Sequence, residues 1–129
     1  MYVNHEWMRG EYTISTDPAR LDIDVIHRFL TESYWAAGVP REVVRQSIEH
    51  SLPFGVYKGD RQIGFARVVT DYSTFAYLAD VFVLDEFRCD GVGKWLIEVV
   101  VSHPGLAGLR RWILATRDAH GLYRKSGFT

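Results

Sequence analysis

The chain has one cysteine, Cys89, so no disulfide can close within it, which excludes a small fold stapled by disulfides and fits a reducing compartment. Neither sign of charge is in surplus. Fifteen basic against sixteen acidic side chains leave a net charge of -1, which removes the general electrostatic pull that nucleic-acid and anionic-membrane binders rely on. Apolar runs such as Val99–Val101 fall far short of the roughly 20 residues that span a bilayer. The first residues include His5, Glu6, Arg9 and Glu11 rather than an apolar stretch, so no secretory signal is read there and a cytoplasmic location is expected. The five histidines show no zinc-ligand spacing, and no Gly-x-Ser-x-Gly elbow or Cys-His pattern points to a hydrolase. Repeats, low-complexity tracts and long linkers are lacking too.

What remains is the composition of an ordinary globular domain, 47% apolar and 24% charged. A chain of 129 residues reads as a single domain, 1–129, that buries roughly two-thirds of its unfolded surface. Tyr12–Ser15 reads as a short strand before the turn Thr16-Asp17-Pro18. From Asp22, apolar Ile23, Ile26, Phe29, Leu30 and Tyr34 recur at helical spacing until Gly38 and Pro40 stop the run. A second helix is expected from Arg41 to about Ser51, with Val43, Val44 and Ile48 on its buried side. Phe54–Tyr57, the turn Lys58-Gly59-Asp60 and Ile63–Thr70 form a hairpin pattern, and Phe75–Leu84 reads as a third strand after it. A helix over Gly91–Ser102, a strand over Trp112–Ala115 and a fourth helix from His120 to Lys125 complete a mixed α/β order.

The most informative stretch is Arg88-Cys89-Asp90-Gly91-Val92-Gly93-Lys94, between an apolar strand and a helix. A Gly-containing turn there aims unpaired N–H groups outward at a helix N-terminus, where the peptide dipoles also favour an anion. A Walker loop is excluded because Arg88 stands at its first glycine position and Trp95 follows Lys94; a dinucleotide fingerprint is excluded because Leu96 stands at its third glycine. Taken alone, Gly91 and Gly93 fit either a phosphate cradle or simply a tight turn.

Two motifs together resemble the GNAT superfamily of acetyl-CoA-dependent N-acetyltransferases. Arg88, Gly91 and Gly93 fall on its Arg/Gln-x-x-Gly-x-Gly/Ala pyrophosphate signature, while Ala119, Tyr123, Gly127 and Phe128 match its Ala-x-x-x-Tyr helix followed by Gly-Phe. The resemblance implies a GNAT fold of α/β (α+β) class: a mixed, mostly antiparallel sheet flanked by about four helices. It also implies acetyl-CoA as acetyl donor without a metal, and direct transfer to a primary amine of a small molecule or peptide. Coenzyme contacts are then expected from Val81, Phe82 and Val83, from the turn Arg88, Cys89, Asp90, Gly91, Val92, Gly93 and Lys94, and from Thr116 and Ala119. The N–H of Val81 or Phe82 is placed to face the thioester oxygen. Tyr34, Trp35 and Tyr72 are placed at the acceptor pocket, against the alternative that Tyr34 and Trp35 merely end an amphipathic helix.

Acetyl transfer needs a neutral amine, a fixed donor for the developing oxyanion and a proton for the leaving thiolate. Tyr123 occupies the family's general-acid position; the alternative is an aromatic packing on the sheet. Asp80 is the one carboxylate in Ala76–Val83, so it must face a cleft, a cation or water. Apolar walls would raise its pKa and suit it to a base; the alternative is a salt bridge to Arg67 or another basic side chain. The chain departs from the family in Asp90, which adds negative charge to the pyrophosphate turn, in Thr116, which replaces a frequent Asn, and in stopping at Thr129 before the usual closing strands. The last departure is expected to mean either a truncated chain or a homodimer whose partner completes the sheet. Two further readings stand beside the enzyme: a GNAT-like module that binds acyl-CoA or a peptide without turnover, and a small-ligand or nucleotide-binding regulator.

Overall fold

A computed structural model describes residues 3–114. Six strands lie in the order β1-β2-β3-β4-β5-β6: Glu6–Arg9, Tyr12–Ser15, Leu52–Lys58, Arg61–Thr70, Phe75–Val83 and Arg111–Leu114. All neighbours are antiparallel except β5 and β6, which run parallel. The sheet is mixed and mostly antiparallel, as expected. Three α-helices accompany it among the described residues: α1, Ile23–Glu32; α2, Arg41–Glu49; α3, Val92–Val101. The fourth helix, expected over His120–Lys125, lies outside the described residues.

Local chemistry explains most boundaries. The Asp22 carboxylate accepts from the N–H groups of Asp24 and Val25 at 3.1 and 3.3 Å and so opens α1. The helix ends at Glu32, earlier than the apolar spacing suggested. Extended Ser33 turns its hydroxyl onto the Leu30 carbonyl at 2.6 Å, which places Tyr34 and Trp35 in the loop after the helix. On α2, Val44 and Ile48 are buried, but Val43 is 50% exposed: residues four apart share a face, and Val43 lies outside that stripe. Gly59, at φ +60°, makes the β3–β4 turn in a conformation that glycine adopts without Cβ strain.

The sheet separates two apolar layers. On one face Ile26, Leu30, Val44 and Ile48 pack with Phe65 and Phe82; on the other Leu96, Ile97 and Val100 pack with Phe54, Val56, Ala66, Val68, Ala76, Leu78 and Val83. Fully burying an aliphatic side chain of this size contributes about 1.5–3 kcal/mol, so these layers fix the sheet against its helices.

Strand β5 is irregular in its second half. Its pairing with β4 passes from Arg67↔Ala79 to Phe65↔Phe82, so Asp80 and Val81 together stand opposite Ala66. This is a β-bulge, and Asp80 takes φ +56° within it. The extra residue changes the side-chain phase: Ala76 and Leu78 face the α3 layer, whereas Phe82 faces the α1–α2 layer. On the other side, the pairing with β6 runs from Phe75↔Arg111 to Leu78↔Leu114, so Ala79–Val83 extend past the last described partner.

Candidate active site at the bulged end of β5

Strand β5 leads through a 3-10 turn over Asp85–Asp90 into α3. Gly91, at φ +71° and ψ +15°, is the N-cap of α3, and no side chain caps that end. The first-turn N–H groups of a helix have no intrahelical acceptor, so this end presents donors where the dipole is positive. This uncapped end of α3, at its junction with β5, carries the Gly91 turn.

Two side chains of the turn, Arg88 and Asp90, are engaged within the protein. Arg88 Nε donates to the Val83 carbonyl at 2.9 Å, and its Nη1 lies 2.8 Å from Asp85 Oδ1. Asp90 accepts from the Tyr12 hydroxyl at 2.6 Å, which ties the turn to β2. That hydrogen bond to a carboxylate is the largest cause pushing the Tyr12 pKa up to about 12. Val92 is buried in the α3 layer, Gly93 is half-buried and Lys94 is exposed. The side chain of Cys89 lies outside the description, as do Thr116, Ala119 and Tyr123.

Beside the bulge, on the α1–α2 face, is a cleft of about 390 Å³. Its walls include Leu30, Tyr34, Trp35, Val39, Val43 and Tyr77, and its polar floor is Arg67 with Asp80. Arg67 Nε meets Asp80 Oδ2 at 2.9 Å with side chains only 17% and 14% exposed, and Arg67 Nη1 donates to Ser51 Oγ at 3.1 Å. The other Asp80 oxygen, Oδ1, accepts from Trp35 Nε1 at 3.1 Å. Of the surroundings offered for Asp80, the structure contains the Arg67 salt bridge, within a cleft.

Three residues grouped at the acceptor pocket divide. Tyr34 and Trp35 line this cleft, whereas Tyr72 lines a second groove with His5, Thr16 and His103. Val81 lines the cleft, Phe82 is buried and stacks on Phe29 at 4.1 Å, and Val83 is buried on the opposite face. The Trp35–Asp80 bond was not read from the sequence, because it joins groups 45 positions apart. The bulge had a fainter signal: within Ala76–Val83, strict alternation cannot send both Leu78 and Phe82 to their observed layers.

Comparison with known proteins agrees with this architecture. The model of the acetyltransferase (GNAT) family matches residues 6–128, and the chain belongs to that family. A provisionally named acetyltransferase of Gibberella zeae is 32% identical over 141 residues, covering 93% of this chain and 80% of its own length. A GNAT-family protein of Xanthomonas campestris pv. campestris, also provisionally named an acetyltransferase, is 53% identical. Its crystal structure superposes with a TM-score of 0.89 over 92% of this chain and 84% of that one. The GNAT acetyltransferase of Elizabethkingia anophelis, solved with acetyl-CoA bound, shares the fold at a TM-score of 0.71. It is 17% identical, over 94% of this chain and 78% of that one.

Proposed function

We propose that the protein transfers an acetyl group from acetyl-CoA directly to a primary amine of a small molecule or peptide. The observation that carries this reading is a coincidence of place. The uncapped, Gly91-led end of α3 and the half of β5 that carries the bulge against β4 meet at one end of the sheet, beside a cleft. Gly93 tests the fit of the coenzyme. Among the described residues a Cβ there would meet Val83 Cγ2 alone, at an ordinary 3.9 Å, so their packing leaves room on that side of the turn for a pyrophosphate.

When bound, acetyl-CoA supplies the acetyl group as an activated thioester. The N–H groups of Gly91, Val92, Gly93 and Lys94 receive the pyrophosphate, with Arg88 and Lys94 adding positive charge. Asp90 is drawn to Tyr12, which tempers its negative charge in the turn; Cys89 contributes backbone to the same turn. Val81, Phe82 and Val83 offer backbone groups to the pantetheine amides, and the Val81 or Phe82 N–H donates to the thioester oxygen. Thr116 and Ala119 complete the coenzyme contacts, and Tyr123 protonates the departing sulfur. Tyr34 and Trp35 bound the acceptor cleft. Asp80 Oδ1, whose donor here is an indole rather than a cation, has a second lone pair with which to take the amine proton while Trp35 Nε1–H stays bonded. The protein works in the cytoplasm, without nucleic acid or a membrane as partner, and a homodimer is the assembly to look for.

A second reading is a non-catalytic acyl-CoA-binding module, favoured by Asp80 having both carboxylate oxygens engaged. Release of free thiol from acetyl-CoA across an amine panel separates the two. Turnover that falls about 10²-fold or more in Tyr123→Phe supports acetyl transfer with Tyr123 as acid. Thiol release indistinguishable from the no-protein control with every amine, from protein that binds acetyl-CoA, supports the module.

A further inference from the structure

We propose that the acceptor is a small arylalkyl amine: one primary amino group on a short chain bearing an aromatic ring, without a second charge or a phosphate. This rests on the acetyl-transfer reading and adds the chemistry of the acceptor, drawn from the charge, the walls and the size of the cleft.

The charge of the described lining disfavours two kinds of amine. Among the described residues the cleft is lined by two charged side chains, Arg67 and Asp80, and they satisfy each other at 2.9 Å. A polyamine or aminoglycoside needs several carboxylates, and a phosphorylated amino sugar needs cations to spare. A self-neutralising pair offers neither surplus.

The walls select an aromatic body. Tyr34 and Trp35 stand edge to face at 5.1 Å, yet are 53% and 44% exposed. Behind them Trp35 reaches Phe29 at 6.2 Å, Phe29 stacks on Phe82 at 4.1 Å, and Phe82 meets Phe65 at 6.1 Å. A ladder of rings thus runs from the buried core to the cleft mouth, passing through the bulged half of β5. The indole is held at both ends, by Phe29 and by Asp80 Oδ1. A ligand ring set against this wall gains offset or edge contacts at a small ordering cost, because the wall is already fixed. Size agrees: about 390 Å³ is at the small end of ligand clefts and suits one ring on a short chain.

The test compares kcat/KM at saturating acetyl-CoA for 2-phenylethylamine, n-butylamine, spermidine and glucosamine 6-phosphate. The expected order places 2-phenylethylamine about tenfold or more above n-butylamine, through KM, with the two charged amines lower still. Trp35→Ala should collapse the phenylethylamine-to-butylamine ratio toward one, while Trp35→Phe, which keeps a ring, should retain most of it. Preference for spermidine or the sugar phosphate, or a ratio unmoved by Trp35→Ala, overturns the proposal. Should no amine be turned over, the acetyl-transfer reading fails separately. The cleft is then judged by equilibrium titration of CoA-loaded protein: a Kd for 2-phenylethylamine about tenfold below that for n-butylamine upholds the aromatic site, and equal Kd values overturn it.

Discussion

The two halves of β5 differ in regularity. Over Phe75–Leu78 the strand is paired on both sides, to β4 and to β6. The loop leading into it is closed by Asp71, whose carboxylate accepts from the N–H groups of Ser73, Thr74 and Phe75 and from the Thr74 hydroxyl. Those bonds hold the Asp71 carboxyl well below the usual range, the Thr74 hydroxyl contributing most. Over Ala79–Val83 the strand carries the bulge against β4 and a non-glycine residue at positive φ. One half is regular, and the other is reshaped by the bulge beside the cleft. Strain of this kind persists only when surroundings over-determine it, and here Arg67, Ser51 and Trp35 do so.

Breaking the support of the bulged half should have the largest effect. Arg67→Met leaves Asp80 with little solvent and no cation, so unfolding in urea should show a loss of about 3 kcal/mol. A loss under about 1 kcal/mol would mean that the ion pair does not hold the bulge. The orderly end of the sheet should respond to pH instead. His103 is buried, its Nδ1 accepts from Gly105 N–H at 2.9 Å, and its ring meets His5 at 4.7 Å. Burial, and then the nearby His5 charge, lower its pKa below the ordinary 6.5. The unfolded chain therefore binds a proton that the folded protein refuses. This stability is fully present above pH 6.5 and is lost as pH falls from there through the folded value, with a slope of up to about 1.4 kcal/mol per pH unit. Urea titrations between pH 7.5 and 5 should show that slope, and His103→Asn should flatten it.

Two glycine substitutions sharpen the contrast between fold and site. Gly91→Ala forces a Cβ onto a residue at φ +71° and should cost about 1 kcal/mol of stability. Gly93→Ala has room for its Cβ and adds helix propensity, so stability should hold or rise by up to about 1 kcal/mol. Its affinity for acetyl-CoA, by contrast, should fall about tenfold or more in a calorimetric titration. A Gly93→Ala protein that binds as well as the parent would mean that the coenzyme does not approach this face of the turn.

Legibility from sequence followed the range of the physics. The hairpin around Gly59, the apolar stripe of α1 and the Gly91 turn depend on near neighbours, and each was readable. Strand β1 was not, because Glu6-Trp7-Met8-Arg9 is an edge strand burying little beyond Trp7 against the core. Val43 was placed inside for being apolar, although the Val44–Ile48 stripe defines the buried face. The salt bridge of Asp80 to Arg67 was one of two readings, since a carboxylate in an apolar strand calls for a cation. That Trp35 closes the other oxygen depends on how α1 ends and where the loop crosses the sheet. Periodicity carries no information about such a contact.

The central claim is that the junction of the bulged half of β5 with α3 is a coenzyme site, and calorimetric titration of the purified protein with acetyl-CoA tests it most directly, with desulfo-CoA, ATP and NAD alongside. Micromolar binding of acetyl-CoA, retained by desulfo-CoA and far weaker for ATP and NAD, is the predicted result. Absence of binding, or ATP or NAD binding as tightly as acetyl-CoA, would contradict it.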